Sequence, residues 1–75
     1  QALGNPQEAR VAFEKVVALK PEDAAGYYML ALVYEKLKQL DLARSAWEKC
    51  LEYATEEKMV ETAKRHLAHL QGRLK

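Results

Sequence analysis

The side chains best equipped for chemistry in this chain are two histidines, one cysteine, one serine and a scatter of carboxylates. His66 and His69 stand at i and i+3, close enough on a helix to share a metal ion. A metal centre would need a third ligand, and only Glu35 and Cys50 come into question. Cys50 falls at a position expected to pack, so the simpler reading is two surface histidines and a buried, unreactive thiol. Ser45, the single serine, sits mid-helix on the expected outer side. The sequence holds no glycine-rich phosphate loop, no HExxH, and no serine or cysteine set beside a matched base. These residues therefore predict no enzyme, no cofactor and no metal.

The elements that carry them are helical. Ala, Leu, Glu, Lys and Arg, all strong helix formers, dominate the 75 residues, against three glycines and two prolines. That composition predicts one all-α domain, near the size where a single core only just outweighs chain entropy. Charge is almost balanced at +1, which argues against nucleic acid, since such binding wants a strongly basic face. The apolar run Met29–Tyr34 is far too short for membrane insertion, and a membrane-surface role for 56–74 is opposed by its three acids. With one cysteine, no internal disulfide forms and the compartment stays open. Gln1 opens a turn-like QALGNP rather than a cationic or apolar leader, and the lack of an initial Met predicts a piece of a longer protein.

Four helices can be placed. Asn5 as cap, Pro6 at the first turn and Glu8 three places after the cap predict a start for a helix over 5–20. Gly4 fits the end of a preceding helix. Ala9, Ala12, Phe13, Val16 and Val17 recur at three- and four-residue steps, marking its buried face. Pro21 ends it, and Asp23 is placed to cap a second helix over 24–37. Tyr27, Leu30, Ala31, Tyr34 and Leu37 form the main stripe there, with Tyr28 and Leu32 on a second face. A third helix, 41–54, buries Ala43, Ala46, Trp47, Cys50 and Leu51. Thr55 is expected to cap the fourth, 56–74, whose stripe is Met59, Val60, Ala63, Leu67, Leu70 and Leu74. Its other face, Glu61, Lys64, Arg65, Gln71 and Arg73, is that of a solvated surface.

One stretch is written twice. ARVAFEKV at 9–16 returns as ARSAWEKC at 43–50, an offset of 34 residues with five of eight letters identical. Tyr27, Leu30, Ala31, Tyr34, Ala43 and Trp47 then fall in the order and spacing of one helix-turn-helix unit of that length. Ala9, Phe13 and Pro21 fill the second half of the same pattern one period earlier. On these residues the chain resembles the tetratricopeptide repeat family. It departs from the pattern at Ala31 for Gly, Lys38 for the turn Gly, and Thr55 for Pro. Lys38 should cost about 1 kcal/mol if its backbone is left-handed.

The resemblance implies a stack of antiparallel helix hairpins, a fragment of a right-handed superhelix. It divides the chain into the second half of a repeat (1–21), one full repeat (22–55) and a capping helix (56–75). Alanine at 9 and 43 would let hairpin helices cross closely, and Phe13 and Trp47 would fill the gap between repeats. It further implies an adaptor or scaffold, the C-terminal part of a longer array, whose first helices line a groove for a peptide or partner protein. Carried over, the groove comprises Ala25, Tyr28, Leu32, Glu35 and Lys36, joined by Thr62, His66 and His69 of the closing helix. Family members that clamp a terminal carboxylate use Lys and Asn where Tyr28 and Leu32 stand here, so a more apolar ligand is expected. The simpler reading of Tyr28 and Leu32 is that they cover neighbouring helices. On the groove reading, Tyr28→Ala or Leu32→Ala removes binding and keeps the fold. The alternative is a self-associating module forming a homodimer through the uncovered face of the first helix, around Phe13, Val16 and Val17.

Overall fold

The computed structural model describes residues 5–74, with side chains as far as residue 72. Gly4 and Lys75 lie outside the described residues, as do the side chains of Arg73 and Leu74. Among the described residues there are four helices and no strand: α1 (Pro6–Leu19), α2 (Ala24–Lys36), α3 (Leu40–Tyr53) and α4 (Glu57–Leu74). Each packs on the next in chain order, most extensively α2 on α3. The result is the all-α stack of hairpins that the sequence predicts.

The helix ends follow local chemistry. Asn5 accepts through its side chain from the amides of Gln7 (2.9 Å) and Glu8 (3.4 Å), satisfying two donors that the first turn leaves free. Asp23 does the same for Ala25 at 3.1 Å. The hydroxyl of Tyr27 donates to the Pro21 carbonyl at 3.0 Å and fastens the turn between α1 and α2. The fourth helix begins one residue later than expected. Ala54 is extended (ψ 136°), Thr55 follows without helical structure, and the carbonyl that accepts from Val60 is that of Glu56, at 3.0 Å. Glu56 therefore holds the capping position assigned to Thr55, because the chain uses one more residue to turn out of α3.

α2 ends in a Schellman motif. The Gln39 amide donates to the Tyr34 carbonyl (2.9 Å) and the Lys38 amide to that of Glu35 (3.0 Å). Such a closure requires a left-handed residue, and Lys38 supplies it with φ 63°. A lysine Cβ crowds the carbonyl there, which glycine would avoid.

The core is built from three of the four helices. Leu30, Ala31 and Tyr34 of α2, Ala43, Ala46, Trp47 and Cys50 of α3, and Ala63, Leu67 and Leu70 of α4 form one buried cluster. α1 contributes no buried residue; Phe13 and Val17 are half-buried against the cluster. Gly26 and Val33 of α2, outside the stripe expected from the sequence, are buried as well. A Cβ on Gly26 would stand 3.0 Å from Val17 Cγ1 and 3.3 Å from Val16 Cγ1, so the missing side chain lets α1 and α2 close. A polar joint reinforces that contact. The Tyr34 hydroxyl donates to Glu14 Oε2 at 2.7 Å, and Arg10 pairs with the same carboxylate at 3.1 Å. The Tyr34 bond, with help from Arg10, holds the Glu14 carboxyl below its ordinary range. Burial, then the Glu14 carboxylate, pushes the Tyr34 phenol up to about 12.

Candidate functional site: the face between α2 and α4

Residues 25, 28, 32, 35 and 36 recur on one side of α2, turned away from Leu30 and Tyr34 by the helical repeat. Their environments differ. Ala25 and Lys36 are exposed, whereas Tyr28, Leu32 and Glu35 are half-buried. On α4, Thr62 and His66 are half-buried and His69 is exposed. Four of these eight, Leu32, Glu35, Lys36 and His69, line one depression of about 370 Å³. Its wall also includes Lys38, Leu40 and Leu70. The left-handed turn thus delivers a lysine to the rim of the site, a placement that the departure from glycine alone does not reveal.

Glu35 organises the deeper part. Trp47, fully buried on α3, donates its Nε1 proton to Glu35 Oε2 at 2.6 Å. His66 Nδ1 meets the same oxygen at 2.8 Å. A carboxylate oxygen only accepts, so in this contact Nδ1 carries the proton. The His66 ring also lies over the indole, with centroids 4.5 Å apart and planes tilted by 31°. Tyr28 approaches the same indole edge-on at 5.3 Å and 75°. One carboxylate therefore ties α2, α3 and α4 together. The sequence places Glu35 and His66 near each other as conceivable metal ligands; the structure joins them through a proton. Cys50 is wholly buried, and burial pushes its thiol up, away from reactivity. Among the described residues no three His, Cys, Asp or Glu side chains gather as metal ligands.

Sequence reasoning missed the bond from Trp47 to Glu35, although a signal existed. A buried indole seeks an acceptor for its N–H, and Glu35 is the acid carried by α2. Tyr28 also proves to be part packing residue, since its ring supports Trp47. Ala25, Tyr28, Thr62 and His66 do not line the depression. The surface that remains combines apolar Leu32 and Leu40 with Lys36, Lys38 and His69. The residues lining the depression include no serine or cysteine.

A family model described as tetratricopeptide repeat matches residues 1–67. No curated protein and no solved structure matches the chain.

Proposed function

This chain belongs to the tetratricopeptide repeat family, whose repeats mediate protein–protein interaction and are typically non-enzymatic, and on that premise we propose an adaptor that holds a partner segment along the α2–α4 face. The observation that carries the reading is the depression itself. Leu32 stands half-buried inside it, with Leu40 beside it and Lys36, Lys38 and His69 as polar neighbours. A lining of three leucines beside Glu35, Lys36, Lys38 and His69 suits a short extended or helical peptide that offers a hydrophobic anchor and polar groups. Carboxylate clamping is not part of the proposal, because Tyr28 and Leu32 replace the residues it uses. The module closes an array at α4, where Glu61, Lys64, Arg65 and Gln71 are all exposed and offer no apolar stripe for another helix.

The test is a peptide selection from a random display library against the whole chain. Selected peptides are then titrated into isotopically labelled protein. The expected result is amide shifts centred on residues 28–40 and 62–70. Leu32→Glu should weaken binding by about tenfold or more with an unchanged helical spectrum. Tyr28→Ala is the poorer probe, since it also strips the edge contact from Trp47. Shifts confined to α1, or equal binding by Leu32→Glu, would overturn the reading.

A further inference from the structure

The turn between α2 and α3 holds the one non-glycine residue with a positive φ among the described residues, Lys38 at 63°. Glycine stands there in the repeat pattern and fits that backbone without the Cβ crowding that lysine meets. Strain at such a position points to a task for its side chain. The lysine belongs to the lining of the α2–α4 depression, together with Lys36. Among the described residues neither ammonium group enters an ion pair, whereas Arg10 and Lys49 each hold a carboxylate. The one acid in the same lining, Glu35, is committed inward: its Oε2 accepts from Trp47 at 2.6 Å and meets His66 Nδ1 at 2.8 Å. Every wall of the depression lies within residues 32–70.

We infer that Lys38 and Lys36 form a subsite for an acidic side chain, so that the segment held here carries Asp or Glu next to the apolar residue that enters among Leu32, Leu40 and Leu70. The inference rests on the α2–α4 face being the binding face, and adds which partner that face selects. Two ammonium groups in one corner attract a carboxylate more than either alone, and the leucines beside them reduce the screening that water gives. A basic segment is repelled there, and a purely apolar one leaves both lysines without a counter-charge. The chain as a whole is nearly neutral at +1, so the preference is local rather than a consequence of net charge. The subsite also differs from a clamp on a chain-terminal carboxylate. It lies at the end of α2 rather than at positions 28 and 32, and it reads a side chain, so an internal segment satisfies it.

The test is a random peptide display library panned against the whole chain and, in parallel, against Lys38→Gly. Peptides held by the native chain should carry Asp or Glu within two positions of an apolar residue, and the tightest should lose affinity as salt is added. An analogue with that carboxylate replaced by its amide should bind about threefold to fivefold more weakly. Lys38→Gly should lose a similar factor while its Tm rises, so unfolding does not account for the loss. Lys38→Arg should bind as the native chain does, because it keeps the charge. The amide analogue and Lys38→Gly combined should lose clearly less than the product of the two single losses, the mark of a direct pair. Acid-free peptides whose amide shifts still map to residues 28–40 and 62–70 would overturn the acidic subsite and leave the binding face in place. Lys38→Gly binding as tightly as the native chain would do the same. Shifts confined to other surfaces, or a library that yields no binder, would overturn the face itself and the subsite with it.

Discussion

α1 and α3 carry matching letters one period apart, yet they live in different surroundings. Ala43, Ala46, Trp47 and Cys50 of α3 are between 0% and 5% exposed. Their counterparts Ala9, Ala12, Phe13 and Val16 are half-buried or exposed, Val16 by 36%. The side chains are similar in size and polarity, so the difference comes from their neighbours. α3 is flanked by α2 and α4, whereas α1 packs chiefly on α2. A repeat letter therefore fixes a position in the stack but not the burial, or the energy, found there.

The sharpest way to break that comparison is to delete the two aromatic plugs. Trp47→Ala removes a fully buried ring and the Glu35 hydrogen bond, and should cost about 3–5 kcal/mol by urea unfolding. Phe13→Ala should cost clearly less, because the ring is only half-buried and part of its contact with water already exists. Equal losses would mean that α1 is better covered than the structure shows. The next contrast enlarges the small crossing residues. Ala43→Leu should cost roughly 1–3 kcal/mol through overpacking. Ala9→Leu, at a position only half-buried, should cost clearly less in the same assay.

A smaller effect concerns the turn between α2 and α3. Lys38→Gly should stabilise by about 1 kcal/mol, since glycine adopts the left-handed backbone without a Cβ clash. Thermal unfolding reads this as a higher Tm. A loss would show that the lysine side chain contributes more than its backbone costs. The smallest effect is in pH dependence, and here α1 is the better tethered helix. Glu14 is bonded to Tyr34, while its counterpart Glu48 is exposed on α3. The lowered carboxyl of Glu14 gives stability that is present above the ordinary carboxyl value of 4.5 and lost as pH falls through the depressed folded value. The raised phenol of Tyr34 gives stability present below 10.0 and lost as pH rises toward about 12. Tyr34→Phe should therefore flatten both limbs of the stability–pH curve, and an unchanged acid limb would show that the bond to Glu14 does not form in solution.

Much of the architecture could be read from the letters because it rests on local rules. Asn5 and Asp23 cap as their side chains allow, Pro21 stops α1, and the three- and four-residue spacing of Ala43, Trp47 and Cys50 points them inward. The exceptions depend on distance in space. Gly26 is buried because α1 closes on it, which no property of α2 alone announces. Thr55 lost its capping role to a one-residue difference in how the chain leaves α3. At the site, Leu32, Glu35, Lys36 and His69 do converge, while Lys38 and Leu40 reach the depression through a turn whose path only the folded chain defines. The shared Glu35 oxygen is the least legible feature, since it joins residues 12 and 31 positions away in sequence.

That shared oxygen has a practical consequence. Trp47 is the chain's single tryptophan, and it sits directly beneath the face proposed to bind. Its emission should be blue-shifted in the native chain and move to the red on unfolding, as water reaches the indole. Any occupant that displaces Glu35 or tilts the His66 ring changes the field and the quenching around that one fluorophore. The molecule thus comes with an intrinsic optical gauge for its own occupancy, and a titration needs no attached dye.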